Sequence, residues 1–317
     1  MNILFKNLME HSNSEIEIAR SKLRKTSETI LDQTTHPGEL LDACNEMHQL
    51  FIDVSGVGSG ELDQREEQED IMLKSGKAIS SWAAGRCVTE YSRTSKYLRG
   101  LHDAIADSIE RKGGGPVEVL YAGCGPYATL VLPLMDRFSP EEVKFTLLEI
   151  NETALESAKR LIDLFSNNNY VSDYVPSDAT TYRHSEGKQF NIIVTETMLR
   201  AFEVEPQVEI TLNLAGQLCH GGIFIPQRVV IDACLADNSR EITLYPANSE
   251  IPEADLKEPG NNRRRIALGR LLDFTAESAC ELRKKVVRDG SGYSFFPAVS
   301  VQVPEDAAPA FERHWQA

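Results

Sequence analysis

The chain has 317 residues, with 33 Lys and Arg against 48 Asp and Glu, a formal net charge of −15 at pH 7, and 41% hydrophobic residues. That length accommodates one large domain or two moderate ones around a hydrophobic core. The acidic balance argues against nucleic-acid binding, which draws on Lys and Arg neutralising phosphates, and favours cationic partners, although many proteins are acidic for solubility alone.

In chain order, the amino terminus lacks the apolar stretch of a secretory signal, and no apolar run approaches the roughly 20 residues of a membrane span. A cytoplasmic protein without membrane contact is expected. Residues 1–85 read as a helical region: Ile16, Ala19, Leu23 and Ile30 share one face, as do Leu40, Ala43, Met47 and Leu50. The Gly56-Val57-Gly58-Ser59-Gly60 stretch breaks this pattern, and the acidic run from Glu61 to Asp70 reads as a solvated helix face. A long helical pattern from Ser80 to Glu110 is interrupted near Arg93-Thr94. The six cysteines, Cys44, Cys87, Cys124, Cys219, Cys234 and Cys280, have no CxxC spacing. Neither a disulfide framework nor a zinc site is indicated, and they are expected to be reduced and mostly buried.

Residues 86–227 read as a nucleotide-binding α/β unit. The apolar strand Val117 to Tyr121 runs into Ala122-Gly123-Cys124-Gly125-Pro126-Tyr127-Ala128, a GxGxxA loop, followed by a helical pattern at Leu130, Val131, Leu134 and Met135. Glycines let the backbone turn tightly and approach a ligand. A second strand, Phe145 to Leu148, ends in Glu149, 24 residues after Gly125, where an acidic side chain accepts from ribose hydroxyls. Such loops also occur as plain strand-helix turns. Pro126 and Tyr127 fill the loop where a pyrophosphate binder keeps open amides.

Val175-Pro176-Ser177-Asp178-Ala179 follows a third strand, with Asp178 readable as a ligand contact or as a helix N-cap or turn residue. The fourth strand, Phe190 to Val194, leads to Thr195-Glu196-Thr197-Met198, at the carboxyl end of a strand where open α/β sheets meet their ligands. Glu205 follows Glu196 by nine residues within Glu203-Val204-Glu205-Pro206. Two carboxylates could converge there, or Glu205 could be an exposed residue at a helix start. Residues 228–317 read as a smaller β-rich region, with β-branched runs at Arg228 to Leu235 and Val299 to Val303, preceded by Ile223 to Ile225. Glu258 to Arg265 reads as a loop.

The run VLYAGCGPYATL resembles the first motif of class I methyltransferases, which bind S-adenosylmethionine. The acidic loop resembles the double-glutamate loop of the protein arginine methyltransferases, with Glu196, Met198 and Glu205 at matching positions. Thr197, Leu199 and Arg200 stand where that family usually has aromatic and glycine residues. Arg93-Thr94-Ser95-Lys96-Tyr97 is similar to its RTxxY segment, Gly221 to Arg228 to its GGxxxPxR run, and His314-Trp315 to its THW loop, with Arg313 in place of Thr. The resemblance implies a Rossmann-like methyltransferase sheet between the helical and β-rich regions, and S-adenosylmethionine in the unit 86–227. It implies cofactor contacts at Arg93, Tyr97, Gly123, Gly125, Glu149, Asp178 and Met198, with Glu196, Glu205 and His314 at the reaction. It also implies a homodimer and no metal. Outside the resemblance, Arg93 reads as a salt-bridge partner of Glu90 and Met198 as a core residue.

A guanidinium is a flat cation whose forked donors fit carboxylates. Two glutamates would hold it rigidly with one nitrogen facing the methyl donor. The expected activity is N-methylation of a guanidino nitrogen on free L-arginine or a related small cation, as in natural-product pathways. The alternatives are a protein arginine methyltransferase, an O- or C-methyltransferase of a small metabolite, and a cofactor-binding protein without catalysis.

Overall fold

The computed structural model describes residues 13–59, 68–166, 169–185, 188–198, 205–236, 265–285, 287–288, 294–295, 300 and 302. Five strands form a parallel sheet in the order β5-β4-β3-β6-β7: β3 is Val117–Ala122, β4 Val143–Glu149, β5 Val171–Pro176, β6 Phe190–Thr195 and β7 Leu218–Ile225. A parallel sheet is covered on both faces, which is why β3, β4 and β6 read as continuous apolar runs rather than alternating ones. Val119, Tyr121, Phe145, Leu147, Ile192 and Val194 pack into one core, and Leu120, Ala122, Leu148 and Ile193 into a second. The protein is a Rossmann-like α/β fold with a helical region before the sheet and antiparallel strands after it.

The first core is closed by α1 (Asn13–Leu31), α2 (Pro37–Ser55), α4 (Tyr91–Lys112) and α5 (Glu152–Phe165), through Leu23, Ile30, Met47, Phe51, Leu98 and Leu161. Helix α2 starts with a capping box between His36 and Glu39 and ends at Gly56, whose φ of 76° allows the left-handed cap, so the expected break falls there. Arg99 of α4 donates to the Ile30 and Asp32 carbonyls past the end of α1, at 2.8 and 2.6 Å. Arg20 of α1 donates to the Leu164 carbonyl near the end of α5. Helix α5 begins at Asn151, whose side chain accepts from the Ala154 N–H.

Three expectations change between the helices and the first strands. The helical pattern of residues 80–110 breaks before Arg93, not at it: α3 (Ser81–Arg86) passes through a short 3-10 turn, Cys87–Thr89, to Glu90, whose ψ of 74° is not helical. Thr94 then donates to the Val88 carbonyl at 3.1 Å, satisfying a group the break exposes. Upstream, a small hairpin of β1 (Ile71–Leu73) and β2 (Gly76–Ala78) stands in the region expected to be helical. The acidic run mostly lies outside the described residues, but Asp70 is no idle surface acid: it pairs with Lys77 at 2.5 Å and accepts from the Ser80 N–H.

The expected helix after the glycine loop is replaced by buried turns and one 3-10 segment, Leu132–Leu134. Pro126 and Pro133 lack the N–H that a helix interior requires, and the bonds formed are mostly to the third residue back, as from Val131 to Ala128 and from Leu134 to Val131. Burial of Leu130, Val131, Leu134 and Met135 holds the segment instead.

The second core is covered by α6 (Gln207–Leu214) and α7 (Ala276–Arg283), through Ile210, Leu212 and Ala279. The run Ile223–Ile225 belongs to β7 of the parallel sheet. Strand β8 (Arg228–Ala236) pairs antiparallel with β9 (Arg265–Thr275), which the sequence did not announce. Short strands β10 (Val287–Arg288) and β11 (Ser294–Phe295) pair with each other. Of the loop expected over Glu258 to Arg265, Arg265 instead opens β9 and the rest, like most of the run Val299–Val303, lies outside the described residues. Cys44 and Cys124 are buried, Cys87, Cys219 and Cys280 half-buried and Cys234 exposed, so the cysteines are less buried than expected. Among the described residues no helix is long and apolar enough to cross a membrane.

Candidate active site

Strands β3, β4 and β6 end at one cavity of about 300 Å³, whose walls include Gly123, Gly125, Glu149, Asp178, Glu196 and Glu205. Arg93, Tyr97 and Met198 also line it. The sheet order changes direction between β4 and β6 around β3, which is the switch point where open α/β sheets take ligands.

Gly123 and Gly125 turn with φ of 75° and 62°, conformations that side chains rarely adopt. The Gly123 and Cys124 N–H groups donate to the Leu148 carbonyl, tying the turn to β4. Glu149, 8% exposed, answers from the end of β4: Oε2 accepts from the Gly125 N–H at 2.9 Å and Oε1 from the Asn151 N–H at 3.0 Å. Burial pushes the Glu149 carboxyl up, while the Asn151 and Gly125 N–H groups oppose that shift. Each oxygen retains a further lone pair for a ligand hydroxyl. Tyr127 does not fill the ligand side of the loop. It turns into the first core, 1% exposed, donates to the Val57 carbonyl at 2.8 Å and packs its ring 5.2 Å from Phe51.

Opposite the turn sits the acidic loop. Glu196 Oε2 is 3.1 Å from Arg93 Nη1, with the side chains 15% and 25% exposed respectively. Arg93 also donates from Nη2 to the Cys87 carbonyl at 3.0 Å and lies 3.7 Å from Glu90. Burial works against the Arg93 charge, but Glu196, Cys87 and Glu90 outweigh it, and the guanidinium stays protonated. Burial raises the Glu196 carboxyl and Arg93 pulls it back. Glu205, two residues before α6, is half-buried rather than exposed. Burial, and then the charge of Glu196, push its carboxyl up to about 7, against the pull of Arg93 and Lys77. Among the described residues the Glu205 carboxylate has no ion pair and no hydrogen bond.

Asp178 meets both of its readings: it lines the cavity, and its Oδ1 accepts from the Thr180 N–H at 2.8 Å as a turn residue. Arg93 likewise pairs with Glu90 and faces the cavity. The Gly221 to Arg228 run lies along β7 and into β8, and Arg228 pairs with Asp273 at 2.5 Å instead of lining the cavity. His314 and Trp315 lie outside the described residues. Two hydroxyls in the cavity wall, Ser81 Oγ and Tyr97 Oη, are buried with no partner among the described residues. Ser81 and the hairpin residues Leu73 and Lys77 were not expected at the site. The hairpin did have a signal, the Lys74-Ser75-Gly76 turn between two apolar pairs. Among the described residues no cluster of His, Cys, Asp or Glu could hold a metal ion.

The strand order defines a Rossmann-like fold, with the cavity at the carboxyl ends of its strands. No protein-family model matches the chain, and no curated protein matches it. Solved structures that resemble part of it include methyltransferases. The Trypanosoma brucei PRMT1 enzyme-prozyme complex with AdoHcy is 15% identical over 46% of this chain and 44% of that one, at a TM-score of 0.34. The glycopeptide N-methyltransferase MtfA, complexed with S-adenosyl-L-methionine, is 14% identical over 43% and 52%, at 0.28. The N-methyltransferase NodS from Bradyrhizobium japonicum is 15% identical over 46% and 72%, at 0.28. The chain thus spans under half of the PRMT1 chain and about half of MtfA. At these values the fold class rests on the strand order itself.

Proposed function

We propose that the protein is an S-adenosylmethionine-dependent N-methyltransferase that acts on a guanidino nitrogen of free L-arginine or a related small cation. The observation that carries this reading is the half-buried Glu205 carboxylate, which among the described residues has no partner, beside Glu196 in the cavity that also holds the glycine turn. A half-buried carboxylate without a partner is costly, and a cation from solution would complete it.

The residues present fit the methyl donor. The Gly123-Gly125 turn lets the backbone approach it, Glu149 has acceptor capacity left for ribose hydroxyls, and Asp178, in the cavity wall, would accept from an adenine amino group. Arg93 directs two of its five N–H groups at Glu196 and Cys87, leaving donors for a carboxylate, and the Tyr97 hydroxyl has no partner among the described residues. Met198 supplies a polarizable wall. When bound, S-adenosylmethionine supplies an electrophilic methyl group on a sulfonium. Glu196 and Glu205 would grip the flat cation from two sides, draw its positive charge toward the nitrogens they face, and leave the remaining nitrogen to form the N–C bond as the donor's C–S bond breaks, with S-adenosylhomocysteine leaving and the nitrogen's proton passing to water. Catalysis is then orientation, with reacting atoms roughly 3 to 3.5 Å apart.

A small acceptor is favoured over a peptide because the hairpin β1–β2 and α3 wall the cavity beside Glu205. The test incubates the protein with labelled S-adenosylmethionine and, separately, arginine, a basic peptide and an arginine-free metabolite pool. Label in arginine, lost in Glu196→Gln, supports the proposal. Label in the peptide alone moves the acceptor to protein-bound arginine, and label in the arginine-free pool alone ends the guanidine reading.

A further inference from the structure

Gln207, the first residue of α6, is 1% exposed and reaches back to the loop after β6. Its Oε1 accepts twice from Thr197, from the backbone N–H at 3.0 Å and from the hydroxyl at 2.7 Å. The orientation of the amide is forced, because a backbone N–H only donates and must face oxygen. Nε2 then points at Thr211 Oγ1, 3.3 Å away, and the Thr211 hydroxyl donates to the Gln207 carbonyl at 2.8 Å.

Thr197 lies between Glu196 and Met198, both in the cavity wall. On its other side its methyl group rests against the glycine turn, where a Cβ on Gly123 would come within 2.8 Å of Thr197 Cγ2. Strand β6 ends at Thr195, so the ladder no longer holds the backbone at residues 196–198. Gln207 replaces the ladder there.

We infer that Gln207 is a positioning residue that fixes Thr197 against the glycine turn and thereby sets the direction of Glu196 toward the acceptor. The kinetic consequence rests on the methyltransferase reading, whereas the clamp rests on the geometry alone. An oriented displacement loses about a hundredfold in rate for a displacement of roughly 1 Å.

The experiment pairs amide hydrogen exchange on a peptide covering residues 194–198 of the free protein with kcat, KM and S-adenosylhomocysteine affinity. Gln207→Met keeps the length of the side chain without an acceptor. It should lose protection at Thr197 by about tenfold or more and lose kcat about tenfold to hundredfold, with S-adenosylhomocysteine affinity near wild type and Tm lowered by only a few degrees. Gln207→Glu, which accepts the same two bonds, should restore the protection. Unchanged exchange in Gln207→Met, or lost protection with wild-type kcat, would overturn the inference. If Gln207→Met does not fold, Thr197→Ala removes the hydroxyl bond and the methyl contact: a kcat drop of about fivefold or more supports the inference, and wild-type kcat overturns it. Wild-type protein that methylates no guanidine would defeat the acceptor assignment, while the exchange arm would still decide the clamp.

Discussion

Replacing Glu205 with Gln should make the free protein more stable while destroying its activity. The folded-state carboxyl lies at about 7 against 4.5 for the free group. The folded protein therefore holds this proton more tightly than the unfolded chain does, and stability contributed by the group is lost as pH rises from 4.5 through 7. Undiscounted, that difference corresponds to roughly 3 kcal/mol above pH 7. The carboxylate is partly open to solvent, which screens it, leaving about 1 to 2 kcal/mol, or about 2 to 6 °C in Tm. Gln keeps the shape and removes the charge, so the gain should be full at pH 8 and shrink to roughly half or less near pH 5.5. Thermal and urea unfolding of both proteins across that range provide the measurement, with methyl transfer to arginine assayed in parallel and expected to fall about a hundredfold. A difference that does not change with pH, or a less stable Glu205→Gln at pH 8, would refute the picture of an unpaired carboxylate waiting for a cation.

Further consequences follow from the same site. Glu196→Gln removes the partner of Arg93 and should cost about 1 to 3 kcal/mol in urea unfolding, together with arginine methylation; full activity would remove Glu196 from the reaction. Glu149→Ala leaves the Gly125 and Asn151 N–H groups without their acceptor, and calorimetry should show S-adenosylhomocysteine affinity reduced about tenfold or more. Gly123→Ala forces a left-handed φ on a side chain and drives its Cβ into Thr197, so donor binding should weaken and stability fall by about 1 to 3 kcal/mol. In wild type, kcat/KM for arginine should rise with pH through about 7 as Glu205 ionises; a flat profile between pH 6 and 8 would show that this ionisation does not govern binding.

Much of the frame could be read from residue order because parallel strands, covered on both faces, leave mostly apolar runs. Val117 to Tyr121, Phe145 to Leu148 and Phe190 to Val194 all became central strands, and residues after each became walls of the cavity. Where side-chain period alone was the guide, it misled. Leu130, Val131, Leu134 and Met135 are spaced like a helix but are buried in turns, since two prolines remove N–H donors and tertiary packing supplies the stability that propensity does not. The hairpin escaped notice because strands of three residues give almost no period. Gln207 escaped for a different reason: an amide inside a helix start looks like any polar surface residue until its partner ten residues away is placed beside it.

Local order along the chain determined the α/β class, the glycine turn and the candidate acids, because those depend on strand runs, positive-φ glycines and residue spacing. Only the tertiary structure decided how they meet. Chain order could not say that Arg93 would lie against Glu196, that Glu205 would have no partner among the described residues, or that Tyr127 would turn into the core. Each of these depends on which distant groups share a small buried volume, and a carboxylate's charge state is set by that company and by its distance from water.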